Sequence, residues 1–239
     1  PTHSFAGRCH TSFDSTFFCC AIFCRLKANK QRKQNDSPMT KSALSGVRVL
    51  EIGGGIAGAY CGKLFADMGA EVTVVEPAGG DPLRTRRLDP DEPATEGLFW
   101  HYLNAGKDEA PPSGTYDLII LGEEAARADS LPSPRIAVLD LSWFGHSGPY
   151  AKWQGSDLVC QAIAGMTHVC GPAEGPPYFQ GEHQATMVGG LAAYSAGVAA
   201  LIGGAPAKAQ TFEVSILESI IIMSDCLLYT SDAADDRIC

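Results

Sequence analysis

The residues best suited to ligand chemistry in this sequence lie in a glycine-rich segment that follows an apolar strand. Gly53, Gly55 and Gly58 have the GxGxxG spacing of a turn whose backbone amides approach a pyrophosphate at a helix N-terminus. Glu76 ends the next apolar run, where such folds place the acid that binds a ribose hydroxyl. The pattern is compatible with a nucleotide site, but glycine turns between a strand and a helix are also common in parallel sheets without one.

Alternating apolar strands and helices must position this turn. The predicted strands are Val47–Ile52, Val72–Val75, Asp117–Leu121, Ile136–Leu141 and Gln210–Ile216. The predicted helices are Ala57–Met68, Gly97–Leu103, Glu123–Ala128, Asp157–Met166, Ala185–Ile202 and Leu217–Met223. This rhythm predicts an α/β fold, a Rossmann-like doubly wound parallel sheet. The glycines and alanines of the long helix that follows residue 184 predict close packing against a neighbouring element.

Charge and cysteine content narrow the function classes. The formal net charge is −9, but residues 1–42 are basic, so that the rest of the chain carries about −14. So acidic a body does not suit a nucleic-acid binder. The nine cysteines show neither a disulfide framework nor metal-ligand spacing. We therefore predict a reduced protein without a metal site, located in the cytoplasm, with no nucleic-acid or membrane partner.

Both ends of the chain differ from its body. Residues 1–42 mix a short apolar stretch with a basic run, which fits an organelle-targeting peptide, a secretory signal, or upstream sequence ahead of a true start at Met39. The last interpretation is favoured, and a genuine leader would instead indicate mitochondria or peroxisomes. Residues 228–239 break off without a closing element. We expect one domain over residues 43–227, an unstructured or non-native leader before it, an unrelated tail after it, and an incomplete fold.

Segments around and after the glycine turn occur in a characteristic order. They are Val49–Glu51, Ala57–Gly58, Leu64–Pro77, Gly80–Arg84, Leu103–Lys107, Phe144–Tyr150, Asp157–Gly165, Gly175–Pro177, Gly190–Leu191 and Phe212–Glu218. In these segments the chain resembles the family III CoA-transferases (CaiB/BaiF-like), which include formyl-CoA transferase and the α-methylacyl-CoA racemases. The resemblance covers the N-terminal portion of that family, from about residue 46 to residue 222.

The resemblance implies that coenzyme A binds at the first β-α turn and at the loops beyond the strand ends. The implied contacts are Gly54, Gly55, Ile56, Ala57, Arg84, Asn104 and Lys107. Arg84 and Lys107 would provide cations for the phosphates, and a solvated loop charge is the alternative for each. Glu123 and Glu124 depart from the family pattern, and their charges would repel phosphate.

The catalytic position departs from the family as well. The resemblance places a nucleophilic aspartate at position 186, where this chain has Thr186, and places the racemases' histidine near Ser156. A threonine hydroxyl cannot form the acyl anhydride. Glu182 as nucleophile and His183 as base are candidate substitutes, although both also fit an exposed loop. Asp157, at a predicted helix start, is expected to be an N-cap.

Three functions remain open from the sequence. The first is a CoA-transferase that binds an acyl-CoA thioester and a small carboxylic acid, acting as an interlocked homodimer when full length. The second is a catalytically silent, CoA-binding or dimer-scaffolding half of a tandem transferase. The third is an NAD- or FAD-dependent oxidoreductase, which rests only on the glycine turn and Glu76.

Overall fold

In the computed structural model of the chain, residues 42–77, 79–86, 97–125, 132–168, 170, 174–181 and 183–223 are described. Within these residues the elements are β1 (Arg48–Ile52), α1 (Ile56–Asp67), β2 (Glu71–Val75), α2 (Leu98–Asn104), β3 (Asp108–Glu109), β4 (Leu118–Leu121), β5 (Ala137–Ser142), α3 (Asp157–Ile163), α4 (Gln184–Gly203) and β6 (Gln210–Ser215). Residues 216–223 form a further helix, α5. The tail and nearly all of the leader lie outside the described residues, so the expected domain boundaries stay predictions.

The described strands form one sheet in the order β3-β2-β1-β4-β5-β6, and every neighbouring pair is parallel. The predicted α/β doubly wound parallel sheet is thereby confirmed. The order reverses direction between β1 and β4, and Leu50 of β1 is in register with Ile119 of β4. Loops after these two strands therefore open on one crevice at the carboxyl edge of the sheet, the usual ligand position in such folds.

Burial explains which strands the sequence predicts well. All four residues of β4 are buried, as expected of a central parallel strand covered on both faces. The β3 strand, which the sequence analysis did not predict, consists of Asp108 and Glu109 and is exposed at the sheet edge. A two-residue polar strand has no apolar run or alternation that could identify it.

Helices α1 and α4 approach each other closely because α4 carries glycines at the contact. A Cβ atom on Gly190 would lie 2.6 Å from the carbonyl oxygen of Ala57 in α1. A Cβ atom on Gly197 would lie 2.7 Å from Cζ of Phe65. Such distances are shorter than atoms tolerate, so only glycine permits this approach. The predicted close packing of the small-residue helix is thus explained.

Helix α4, Gln184–Gly203, is the one helix in the described part of the chain that is long and apolar enough to cross a bilayer. Buried core helices of soluble proteins have the same length and composition. Here the helix packs against α1, α3, β5 and β6, and 39% of its apolar stretch is buried inside the protein.

Candidate functional site

A cleft of about 680 Å³ opens at the carboxyl edge of the sheet, beside the point where the strand order reverses. The loops after β1, β2, β4 and β5 form one wall, and the N-terminal ends of α3 and α4 form another. Its lining includes Gly53, Gly54, Gly55, Ile56, Asp81, Leu83, Arg86, Glu123, Glu124, Trp143, Ser156, Asp157, Phe179, His183 and Thr186. The cleft is therefore both acidic and apolar.

The glycine turn after β1 holds a carboxylate from the chain itself. Oε1 of Glu123 accepts a hydrogen bond of 2.9 Å from the amide of Ala57, and Oε2 accepts one of 3.1 Å from Gly58. Burial raises the pKa of Glu123, while these amide bonds act in the opposite direction. The carboxylate thus serves as an N-terminal cap for α1, contributed from a distant loop.

The three glycines of the GxGxxG pattern face the loop that follows β4. Cβ atoms on Gly53 and Gly58 would lie 2.7 Å from Cα of Ala125 and of Gly122, respectively. A Cβ atom on Gly55 would lie 2.4 Å from the carboxyl carbon of Glu123. Glycine is therefore required at these positions by the approach of the β4 loop.

Lys107 is buried and directed into the protein. Its ammonium group donates to Oε2 of Glu51 at 2.7 Å, to the carbonyl of Ala59 at 2.8 Å and to Oδ1 of Asn104 at 3.2 Å. The amide nitrogen of Asn104 donates in turn to the carbonyl of Trp100 at 3.1 Å. Both predicted CoA contacts, Lys107 and Asn104, are thus engaged within the chain and do not line the cleft.

Arg84 is engaged by two acidic side chains. Its guanidinium contacts Oε1 of Glu76 through Nε at 2.8 Å and through Nη2 at 2.7 Å. Nη2 also lies 2.5 Å from Oε2 of Glu109, and the guanidinium stacks 3.8 Å from the centre of the Trp100 ring. Arg84 therefore ties β2 to β3 and α2. Among the described residues, Arg86 is the arginine that lines the cleft, and it was not selected from the sequence.

Asp157 joins the N-terminal ends of α3 and α4. Its Oδ2 accepts hydrogen bonds of 2.9 Å from both the amide and the hydroxyl of Thr186, and its Oδ1 accepts one of 2.7 Å from Gln161. The N-cap of α3 is Ser156, whose hydroxyl accepts from the Val159 amide at 3.3 Å. The expectation that Asp157 caps its own helix is therefore wrong, because that carboxylate caps α4.

His183 precedes α4 with a left-handed backbone, φ 70°. Its ring is stacked on Phe99 with centroids 4.9 Å apart, and the residue is 8% exposed. The interpretation of His183 as an exposed loop residue is thus wrong, because stacking on α2 buries it. Glu182 lies outside the described residues, so its assignment stays a prediction. Among the described residues, no group of three or more metal-binding side chains occurs.

The sequence model of CoA-transferase family III matches residues 44–110 and 113–238. The chain belongs to CoA-transferase family III. Its fold agrees with a CaiB/BaiF family protein from Brucella suis, with a TM-score of 0.67 and 23% sequence identity over 81% of this chain and 59% of that one. The resemblance noted from the sequence is confirmed.

Two relatives in this family show how much of it the chain represents. It is 32% identical to a succinate–glutarate CoA-transferase from Agrobacterium fabrum, over 70% of this chain and 49% of the relative. It is 29% identical to a succinyl-CoA–D-citramalate CoA-transferase from Chloroflexus aurantiacus, over 77% of this chain and 52% of the relative. The chain spans about half the length of the relatives that it matches.

Within this family III chain, the predicted site residues fall into two groups. Gly54, Gly55, Ile56, His183 and Thr186 line one cleft, whereas Ala57, Arg84, Asn104 and Lys107 are engaged elsewhere. Their assignments to CoA and catalysis stay predictions. The capping roles of Glu123 and Asp157 were not predicted from the sequence. An acid just after a buried strand, beside a helix N-terminus, is the signal that could have identified Glu123.

Proposed function

We propose that the full-length protein transfers CoA between carboxylic acids and that this chain provides a cleft for an acyl-CoA thioester. Membership of family III supports this, as do the names of the two relatives. The observation that carries the proposal is the position of the cleft at the reversal of strand order, with Thr186 and Asp157 on its wall. Because both relatives are named for dicarboxylic acids, we propose succinyl-CoA and a second dicarboxylic acid as the first substrates to test.

CoA transfer of this kind needs a carboxylate nucleophile. Its oxygen attacks the thioester carbonyl carbon, the CoA thiolate leaves, and a mixed anhydride forms. The hydroxyl of Thr186 cannot take this role. In the described part of the chain, the carboxylate of Asp157 accepts a hydrogen bond from the hydroxyl of Thr186, and Asp157 lines the cleft. We propose Asp157 as the nucleophile if this chain reacts, with Glu182 as the alternative.

The second candidate function is that of a catalytically silent half of a tandem transferase. The hydrogen bonds between Asp157 and Thr186 favour it. Both oxygens of Asp157 already accept hydrogen bonds, one of them from the first turn of α4. These bonds stabilise the carboxylate and make it a weaker nucleophile. In this alternative, a partner unit carries the aspartate, and this chain contributes binding surface. Such a chain would retain CoA affinity without forming a covalent intermediate.

Mass spectrometry of the full-length protein distinguishes the two candidates. The protein is incubated with succinyl-CoA, and peptides that carry covalent CoA or an acyl group are mapped. An adduct on Asp157 or Glu182 supports direct catalysis, whereas exchange activity with an adduct only on another unit supports the silent half. Asp157→Asn should abolish the adduct and Ser156→Ala should retain it. Absence of both CoA exchange and CoA binding would contradict the transferase proposal.

We also propose that the full-length protein is a cytoplasmic, interlocked homodimer. Large apolar side chains on the described surface support an interface, since Ile202, Ile222 and Trp153 are 82%, 73% and 57% exposed. Analytical ultracentrifugation of the full-length protein tests the dimer, and a monomer at micromolar concentration would contradict it. Fluorescence microscopy of a tagged full-length protein tests the location, and an organelle pattern would indicate a genuine leader.

A further inference from the structure

Glu123 occupies the place that a phosphate takes in nucleotide-binding turns of this fold. In those turns, the amides at the start of the first helix point at the ligand phosphate. Here the amides of Ala57 and Gly58 donate to the two oxygens of Glu123, at 2.9 and 3.1 Å. Glu123 is 8% exposed, so this position is filled by the protein.

The loop that carries Glu123 is held in place by backbone contacts. The amide of Gly122 donates to the carbonyl of Ile52 at 3.1 Å, and the amide of Ala125 donates to the carbonyl of Gly122 at 2.9 Å. A Cβ atom on Gly122 would lie 2.1 Å from the carbonyl oxygen of Gly54. The β1 and β4 loops are therefore fitted backbone to backbone, and the carboxylate is a fixed part of the turn.

The remainder of the cleft offers a different kind of surface. Ile56, Leu83 and Phe179 provide apolar walls, while Asp81, Glu123 and Glu124 provide negative charge in a lining that also includes Arg86. A diphosphate at the turn would meet repulsion from the carboxylate and would find no available α1 amide. An uncharged, amide-containing chain such as the pantetheine arm of CoA meets neither difficulty.

We propose that Glu123 is a specificity-determining residue, whose carboxylate takes the phosphate position of the β1–α1 turn and excludes the CoA diphosphate from it. The proposal rests on the proposed CoA-transferase function. The GxGxxG pattern, in consequence, accommodates a protein carboxylate.

Nuclear magnetic resonance of the isotope-labelled full chain tests this proposal directly. Inorganic pyrophosphate is added to the wild type and to Glu123→Ala, and the amide signals of Ala57 and Gly58 are followed. In the wild type these signals should not shift. In Glu123→Ala they should shift and saturate, with at least a tenfold gain in pyrophosphate affinity. Saturating shifts in the wild type, or no gain in the variant, would overturn the proposal.

Two further variants keep the test decisive. Glu71→Ala removes the same charge from a side chain that is 68% exposed and does not line the cleft, and it should leave pyrophosphate affinity unchanged. Glu123→Ser also takes the carboxylate off the amides of Ala57 and Gly58, and it should gain affinity even if Glu123→Ala does not fold. Titration with CoA is a separate readout: failure of CoA to bind anywhere would contradict the transferase function while leaving the exclusion of pyrophosphate intact.

Discussion

The ammonium group of Lys107 lies 2.7 Å from Oε2 of Glu51, and the two side chains are 1% and 6% exposed. This buried ion pair joins the central strand β1 to the segment between α2 and β3. It also explains Gly62, since a Cβ atom there would lie 1.9 Å from Oε2 of Glu51. Lys107 thus has a structural role that does not require a ligand.

Removing the cation should therefore destabilise the fold strongly. Lys107→Met leaves Glu51 buried without its partner, and we expect a loss of about 3–5 kcal/mol in the free energy of unfolding. Urea denaturation measures this. Lys63→Met is the control, because the partner of Lys63 is the half-exposed Asp67, and it should cost less than about 1 kcal/mol. Unchanged stability together with lost CoA affinity would favour a phosphate contact instead.

The glycine turn provides a test that separates backbone strain from collision. Gly55 and Gly79 both have positive φ, 98° and 106°, but only Gly55 faces the carboxyl group of Glu123. Gly79→Ala should cost about 1–2 kcal/mol because of its left-handed backbone. Gly55→Ala should lower the free energy of unfolding by roughly 2 kcal/mol more than Gly79→Ala does, because its Cβ atom also collides with the carboxyl group of Glu123. If Gly55→Ala and Gly79→Ala lose the same stability in thermal denaturation, Glu123 moves aside at no cost in free energy.

The hydrogen bonds of Asp157 should make it important for stability as well as for chemistry. Asp157→Ala removes an acceptor shared by Thr186 and Gln161, and we expect a loss of about 2–3 kcal/mol in the free energy of unfolding. Ser156→Ala removes a single exposed cap and should cost about 1 kcal/mol. If the two variants are equally stable in guanidinium, Asp157 does not hold α3 and α4 together.

The pH dependence of stability should report the burial of Glu123. Burial raises the pKa of Glu123 above its ordinary value of 4.5, so the folded state binds this proton more tightly than the unfolded chain does. Its favourable contribution is complete below about pH 4.5 and is lost as the pH rises through the folded pKa. The stability of the wild type minus that of Glu123→Gln should therefore fall above pH 4.5. A difference that increases with pH in urea titrations would mean that the amide bonds outweigh burial.

The cysteines should differ in reactivity according to their burial. Burial raises the pKa of Cys160 to about 12 and that of Cys61 well above its ordinary 9.0, and neither thiol is accessible. Cys170 is half-buried. Among these three described cysteines, iodoacetamide at pH 8 should therefore modify Cys170 first, because only thiolates react. Peptide mapping measures the order, and early modification of Cys61 would indicate that α1 opens readily.

The sequence was sufficient for the family, for the parallel sheet and for most of its elements. Apolar runs identify β1, β2, β4 and β5, and the run is uninterrupted in β4 because a strand covered on both faces needs it. Helix prediction failed at Glu123 and Glu124, which form a turn, because local propensity does not register a distant partner. Residues 126–128 of that predicted helix lie outside the described residues.

Whether the amides and cations of the candidate site are already bound by the protein depends on contacts between residues far apart in sequence. Glu123 and Ala57 are 66 positions apart, and Lys107 and Glu51 are 56 apart. A sequence shows that a cation or an amide occurs in a loop, but not whether a protein carboxylate already binds it. The roles assigned to Arg84 and Lys107 depended on that missing information.

The close packing of α1 against α4 also constrains the order in which the chain can fold. Gly190 contacts Ala57 from more than a hundred residues further along the sequence, and Gly197 covers Phe65 from a similar distance. During synthesis on a ribosome, the surface of α1 and of the adjoining sheet that α4 covers therefore stays exposed for about ten seconds, until α4 has been made. During that interval the first β-α-β unit is a nascent chain with an open apolar face and a natural client for chaperones.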